Sequence, residues 1–160
     1  MGIDIEKAVS FIGFPATHPQ LDEFLQECGV KRRLSSKDRP LASVGIDDES
    51  VHLRFTDAYQ ETHGAPKAKG FLFLESVTIQ SSKYEVDTGK FIGTLPFGLS
   101  LDIDETEIVR LLGEPSYNGE FLGAQFITYK NVYPGINLRF RLDKKTREIT
   151  FIRFSAEETA

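Results

Sequence analysis

The sequence contains a single cysteine, Cys28, so no intrachain disulfide can form and a zinc site built on several thiolates is excluded. Cys28 falls on the apolar stripe of a helical stretch, the setting of a buried small hydrophobe and not of a nucleophile. No apolar run is long enough to span a bilayer in a chain that is 40% hydrophobic and 27% charged. Positive charge is in short supply: 19 Lys and Arg stand against 24 Asp and Glu, a formal net charge of −5. That balance argues against a general binder of phosphate backbone and for a cationic partner. Histidines are few, and His18, His52 and His63 have no ligand-like spacing. Gly-x-Ser-x-Gly, P-loop and dinucleotide fingerprints are all missing, and Gly93 and Gly98 are separated by bulky residues. The expectation is no cofactor, no metal, no nucleic acid and no membrane partner. The opening Met1 to Lys7 is acidic where a secretory signal would be basic, so the cytoplasm is the expected location.

What is present is best specified between Phe91 and Pro115. Leu95-Pro96-Phe97-Gly98-Leu99-Ser100 reads as a turn, Asp104 as an N-cap with Glu107 at capping-box spacing, and Ile108, Leu111 and Leu112 as an apolar helix face. Gly113 ends that helix and Pro115 prevents its resumption. Earlier, Leu21, Phe24, Leu25 and Cys28 mark an amphipathic helix that starts at Pro19 and stops at Gly29. Lys31 to Pro40 is a basic, solvated connection. Leu41 to Ile46 and Val51 to Phe55 form a hairpin with the acidic tip Asp47-Asp48-Glu49-Ser50. Thr56 to Gly70 is an apolar-poor loop long enough to suggest function. Strands follow at Phe71 to Ile79, Gln125 to Lys130, Ile136 to Leu142 and Ile149 to Phe154. Phe140 lies between Arg139 and Arg141, a pattern read as a packed strand with arginines on its outer face.

The halves share an order. Phe11-Ile12-Gly13 answers Phe91-Ile92-Gly93, Gly29 answers Gly113, Val51 to Phe55 answers Ile136 to Phe140, and Leu74 to Val77 answers Ile149 to Ile152. The predicted fold is α+β with two similar units, 1–85 and 86–160. Each is a short helix on a three- to four-stranded antiparallel sheet, and the sheets can run together into one curved surface.

The wording from Leu95 to Pro115, followed by a meander, resembles the helix-loop-sheet unit of β-lactamase inhibitor proteins and small outer-membrane assembly lipoproteins. It is more similar still to cytoplasmic immunity proteins of bacterial polymorphic toxin systems, where Leu-Pro-Phe-Gly-Leu recurs. The first half matches only in outline. The resemblance implies a non-catalytic protein that binds a cognate toxin domain and occludes its active site. A basic, nuclease-type toxin would be steered by carboxylates. The candidate contacts are Asp47, Asp48 and Glu49 at the hairpin tip, Glu61 in the long loop, and Tyr117, Asn118 and Glu120 after the second helix. Two alternatives belong to other classes: a metal-dependent hydrolase using Asp102, Asp104, Glu105 and Glu107, and a non-catalytic adaptor or chaperone-like module.

Overall fold

Alternating apolar and polar residues force a sheet with one dry face, and a computed structural model, which describes residues 2–159, shows that sheet. Its strands are β1 (Leu41–Ile46), β2 (Val51–Thr56), β3 (Phe73–Gln80), β4 (Tyr117–Phe121), β5 (Ala124–Tyr133), β6 (Ile136–Asp143) and β7 (Ile149–Ala156). They form one seven-stranded antiparallel sheet in the order β1-β2-β3-β7-β6-β5-β4. Two meanders therefore meet through their last strands, where Val77 pairs with Phe154 and Ile79 with Ile152.

The dry face carries Val51, Leu53 and Phe55 of β2, Leu74, Val77 and Ile79 of β3, Leu138 and Phe140 of β6, and Ile152 and Phe154 of β7, all fully buried. Burial of each such side chain contributes about 1.5–3 kcal/mol. Three short helices cover this face, α1 (Ile5–Val9), α2 (Pro19–Glu27) and α4 (Glu105–Leu112), while α3 (Tyr59–His63) sits at one end of the sheet. Ile5, Ala8, Leu21, Phe24 and Ile108 are their anchors in the same core. Cys28 packs against that core, and burial, then Asp47 and Glu27, push its thiol up to about 11.

Local signals account for the helix ends. Gly29, with φ +88°, closes α2 in a Schellman arrangement, its N–H donating to the Gln26 carbonyl and that of Val30 to the Leu25 carbonyl. Asp104 caps α4 by accepting from the Glu107 N–H at 2.9 Å. The reciprocal half of the expected capping box is not made, because the Glu107 carboxylate turns to Arg110 instead. At its other end α4 is tied to the sheet by Tyr129, whose hydroxyl donates to the Gly113 carbonyl at 2.8 Å.

Three elements depart from expectation. Residues 1–10, which carried no assignment, hold α1, capped by Asp4. The expected loop from Thr56 to Gly70 contains α3, because Tyr59 and His63 have buried sites to fill. Strand β4 escaped prediction because Tyr-Asn-Gly-Glu-Phe lacks alternation. It is an edge strand that buries little and owes its shape to the ladder with β5.

The paired Phe-Ile-Gly triplets are not equivalent. Ile12 is fully buried, whereas Ile92 is exposed. Gly13 is required by its φ of +95°, while Gly93 is required by close approach, since a Cβ there would lie 2.3 Å from the Ile3 carbonyl oxygen. Phe91 to Thr94 is instead partnered by the N-terminal segment, with Thr94 donating to the Ile3 carbonyl and Ile5 to the Thr94 carbonyl.

Candidate functional site

The face of the sheet away from the helices is open. It forms a broad depression of about 1020 Å³ running from β1 across to β5, bordered at one end by α3 and the C-terminal residues Glu157 and Glu158. Because side chains alternate, strand register decides what this open face carries, and the depression is lined by part of it. One cross-strand row reads His52, Thr78, Arg153, Arg139, Thr128 and Tyr117. A second reads Arg54, Ser76, Ser155 and Asn137. A third reads Gln80, Phe151, Arg141 and Phe126.

The arginines are held by their stems. Arg153 Nε donates to Thr78 Oγ1 at 2.9 Å, and Arg139 Nε donates to Thr128 Oγ1 at 3.1 Å. The Arg153 guanidinium lies over the Phe151 ring at 4.5 Å, and that of Arg139 over Phe126 at 5.5 Å. Among the described residues, neither arginine has a carboxylate within ion-pair distance, and their terminal nitrogens donate no hydrogen bond. Burial, and then the positive charges of Arg139 and Arg54, hold the Arg153 guanidinium below its usual range. Arg54 differs, because it pairs with Glu75 at 2.8 Å.

Glu75 also binds His63, Nε2 to Oε2 at 2.9 Å, and His63 Nδ1 meets the Glu157 carbonyl at 3.1 Å. The His63 side chain is only 5% exposed and both ring nitrogens are occupied by protein oxygens. Both nitrogens are therefore engaged within the chain. The Thr159 N–H donates to the Thr62 carbonyl, pinning the C-terminal segment over α3. His63, expected in the Thr56 to Gly70 loop, is thus a buried brace.

The structure does not gather the seven residues expected to bind a partner. Asp47 accepts from the Ile3 N–H at 2.8 Å, Glu49 faces His52 at 3.3 Å, and Asp48 is exposed at the same hairpin tip. Glu61 is exposed on α3, beyond the opposite end of β2, beside a smaller hollow with Lys67 and Lys69. Tyr117, Asn118 and Glu120 lie on β4, six strands from β1, a separation of about 29 Å at normal strand spacing. Asn118 and Glu120 are engaged within the chain: Gln125 Nε2 donates to Asn118 Oδ1 at 2.9 Å, and Glu120 faces Lys144 at 3.3 Å. Tyr117 is 54% exposed on the open face.

The Asp102 to Glu107 carboxylates point to separate tasks. Asp104 caps α4, Glu105 accepts from Gln125 at 2.9 Å, and Glu107 pairs with Arg110. Among the described residues no three His, Cys, Asp or Glu side chains come together as a metal-ion site. The basic connection after α2 is likewise committed locally, Arg32 to Asp38, Arg33 to Asp22 and Arg39 to Asp57.

Arg139 and Arg141 are expected on the outer face of their strand, but Arg54 and Arg153 are not joined to them in the sequence reading, although a common signal exists. Leu53-Arg54-Phe55, Leu138-Arg139-Phe140 and Ile152-Arg153-Phe154 repeat an apolar-Arg-Phe triplet in three strands. Such triplets place every arginine on the face opposite the core. No protein-family model matches the chain, and neither a curated protein nor a solved structure is significantly similar to it.

Proposed function

We propose that this chain is a non-catalytic immunity protein that holds a cognate bacterial toxin domain, of basic nuclease type, against the open face of its sheet and blocks the toxin's active site in the cytoplasm. The observation that carries the reading is the open face itself: a wide polar depression floored by paired strands and left uncovered by the helices. A rigid sheet presents fixed side chains over a large area, which suits recognition with little loss of conformational entropy. The titratable groups around it favour holding over turnover. The His63 ring is occupied on both sides, and the carboxylates of the Asp102 to Glu107 stretch serve a cap, an amide contact and an ion pair.

The same reading includes two similar units, 1–85 and 86–160, fused through β3 and β7. Its support is that β1-β2-β3 and β5-β6-β7 are both antiparallel meanders and that α2 and α4 both end at a left-handed glycine. The net charge of −5 steers a basic toxin from a distance, and the exposed Asp48, Glu49 and Glu61 contribute to that field.

The test is genetic and biochemical. Co-expression with the toxin domain encoded beside this chain should restore growth, and the two proteins should co-elute as a stable complex. Growth arrest despite soluble expression of both would overturn the proposal.

A further inference from the structure

We infer that the centre of the open face, Arg139 and Arg153, is a receptor for carboxylates on the partner protein, so that an acidic segment of that partner is the group seated there. The inference rests on the reading of the open face as the binding surface, and it reverses the charge expected of the contact. Net charge predicts a cationic partner, whereas the face itself presents cations.

Arg139 and Arg153 are direct cross-strand neighbours. Like charges so placed repel each other and weaken a sheet. Among the described residues no carboxylate forms an ion pair with either arginine: Glu75, which offsets part of the repulsion at Arg153 from a distance, is paired with Arg54 and His63, and Glu157 and Glu158 border the depression by α3. Lys130 adds a further cation to the same lining. Each guanidinium is nevertheless held, its Nε bonded to a threonine and its Cζ over a phenylalanine ring. Fixed guanidinium groups with free terminal N–H donors match the two oxygens of a carboxylate.

The same geometry selects against nucleic acid. Single strands bind by stacking bases on exposed aromatic rings. Here Phe126 and Phe151 each have an arginine over the ring, which leaves Tyr117 as the one well-exposed aromatic side chain of the cross-strand rows. A toxin that is basic overall and carries carboxylates at its catalytic centre satisfies both scales, drawn in by the acidic exterior and gripped by the arginines.

The experiment uses the full chain and a fluorescent oligoglutamate peptide, followed by anisotropy at low salt, with an oligothymidylate of matched charge as the second probe. Wild type should bind oligoglutamate more tightly than oligothymidylate. Arg139→Gln, at an exposed position, should weaken oligoglutamate binding about tenfold or more, and Arg153→Gln should act in the same direction. Arg110→Gln, on α4, should leave it unchanged. Absence of oligoglutamate binding, equal binding by Arg139→Gln, or oligothymidylate binding as tight as oligoglutamate would each overturn the inference. Growth rescue separates this outcome from the parent proposal. Rescue by wild type and equally by Arg139→Gln sinks only the arginine receptor. Oligoglutamate binding lost in Arg139→Gln, with no rescue by wild type, sinks only the immunity role.

Discussion

At the scale of single residues, the chain spends most of its charged groups on local geometry. Asp143 accepts from the backbone N–H of Thr146 at 2.9 Å and of Lys145 at 3.0 Å, which fixes the turn between β6 and β7 and holds its carboxyl below the ordinary 3.8. Glu148, bonded to Lys83 and then to Tyr84, is likewise held below 4.5. Such groups add stability in full above their unfolded values, and that stability is lost as pH falls through the lower folded values. The urea midpoint should therefore drop between about pH 5 and about pH 3, and Asp143→Asn should shrink that drop. An equal drop in both proteins would show that Asp143 is not linked to folding. Arg139→Gln should unfold no more easily than wild type in the same assay, because it removes a like-charged neighbour of Arg153.

At the scale of elements, α4 shows how a conspicuous motif divides between signature and support. Its carboxylates were legible as a cap, and Asp104 fills that role. Asp104→Ala should cost about 1 kcal/mol of unfolding free energy. Ile108, the one fully buried residue of α4, holds it to the sheet, so Ile108→Ala should cost about 2–5 kcal/mol. Chemical denaturation of the two variants tests the order, which the capping and packing accounts together require. Leu95 to Ser100 serves the same end, with the Phe97 ring 5.3 Å from that of Tyr133 at the end of β5. Strand β4 marks the limit of periodicity. Its exposed residues carry no alternation, and only pairing with β5 makes them a strand.

At the scale of the molecule, one ladder joins the two meanders. β3 and β7 pair with fully buried residues at the seam, so a break between the halves would expose Val77, Ile79, Ile152 and Phe154 together. Unfolding should be a single transition, with the amides of Leu53 in β2 and Leu138 in β6 exchanging through openings of similar free energy. Two transitions, or exchange that separates β2 from β6, would show halves that fold independently. The open face is also a product of this scale. Arg54, Arg139 and Arg153 lie far apart in sequence and share a surface because β2, β3, β7 and β6 are consecutive in the sheet.

The sequence alone determined what local physics determines. Alternation in β2, β6 and β7, the helix stripes of α2 and α4, and their glycine and aspartate ends were readable, because each depends on neighbours a few residues away. Strand order, the burial of His63 against Glu75 and the non-equivalence of Gly13 and Gly93 were decided by tertiary contacts between distant segments. The same holds for function. Composition registered an acidic chain, but only the register of β6 against β7 set Arg139 beside Arg153 and turned the open face of an acidic protein cationic.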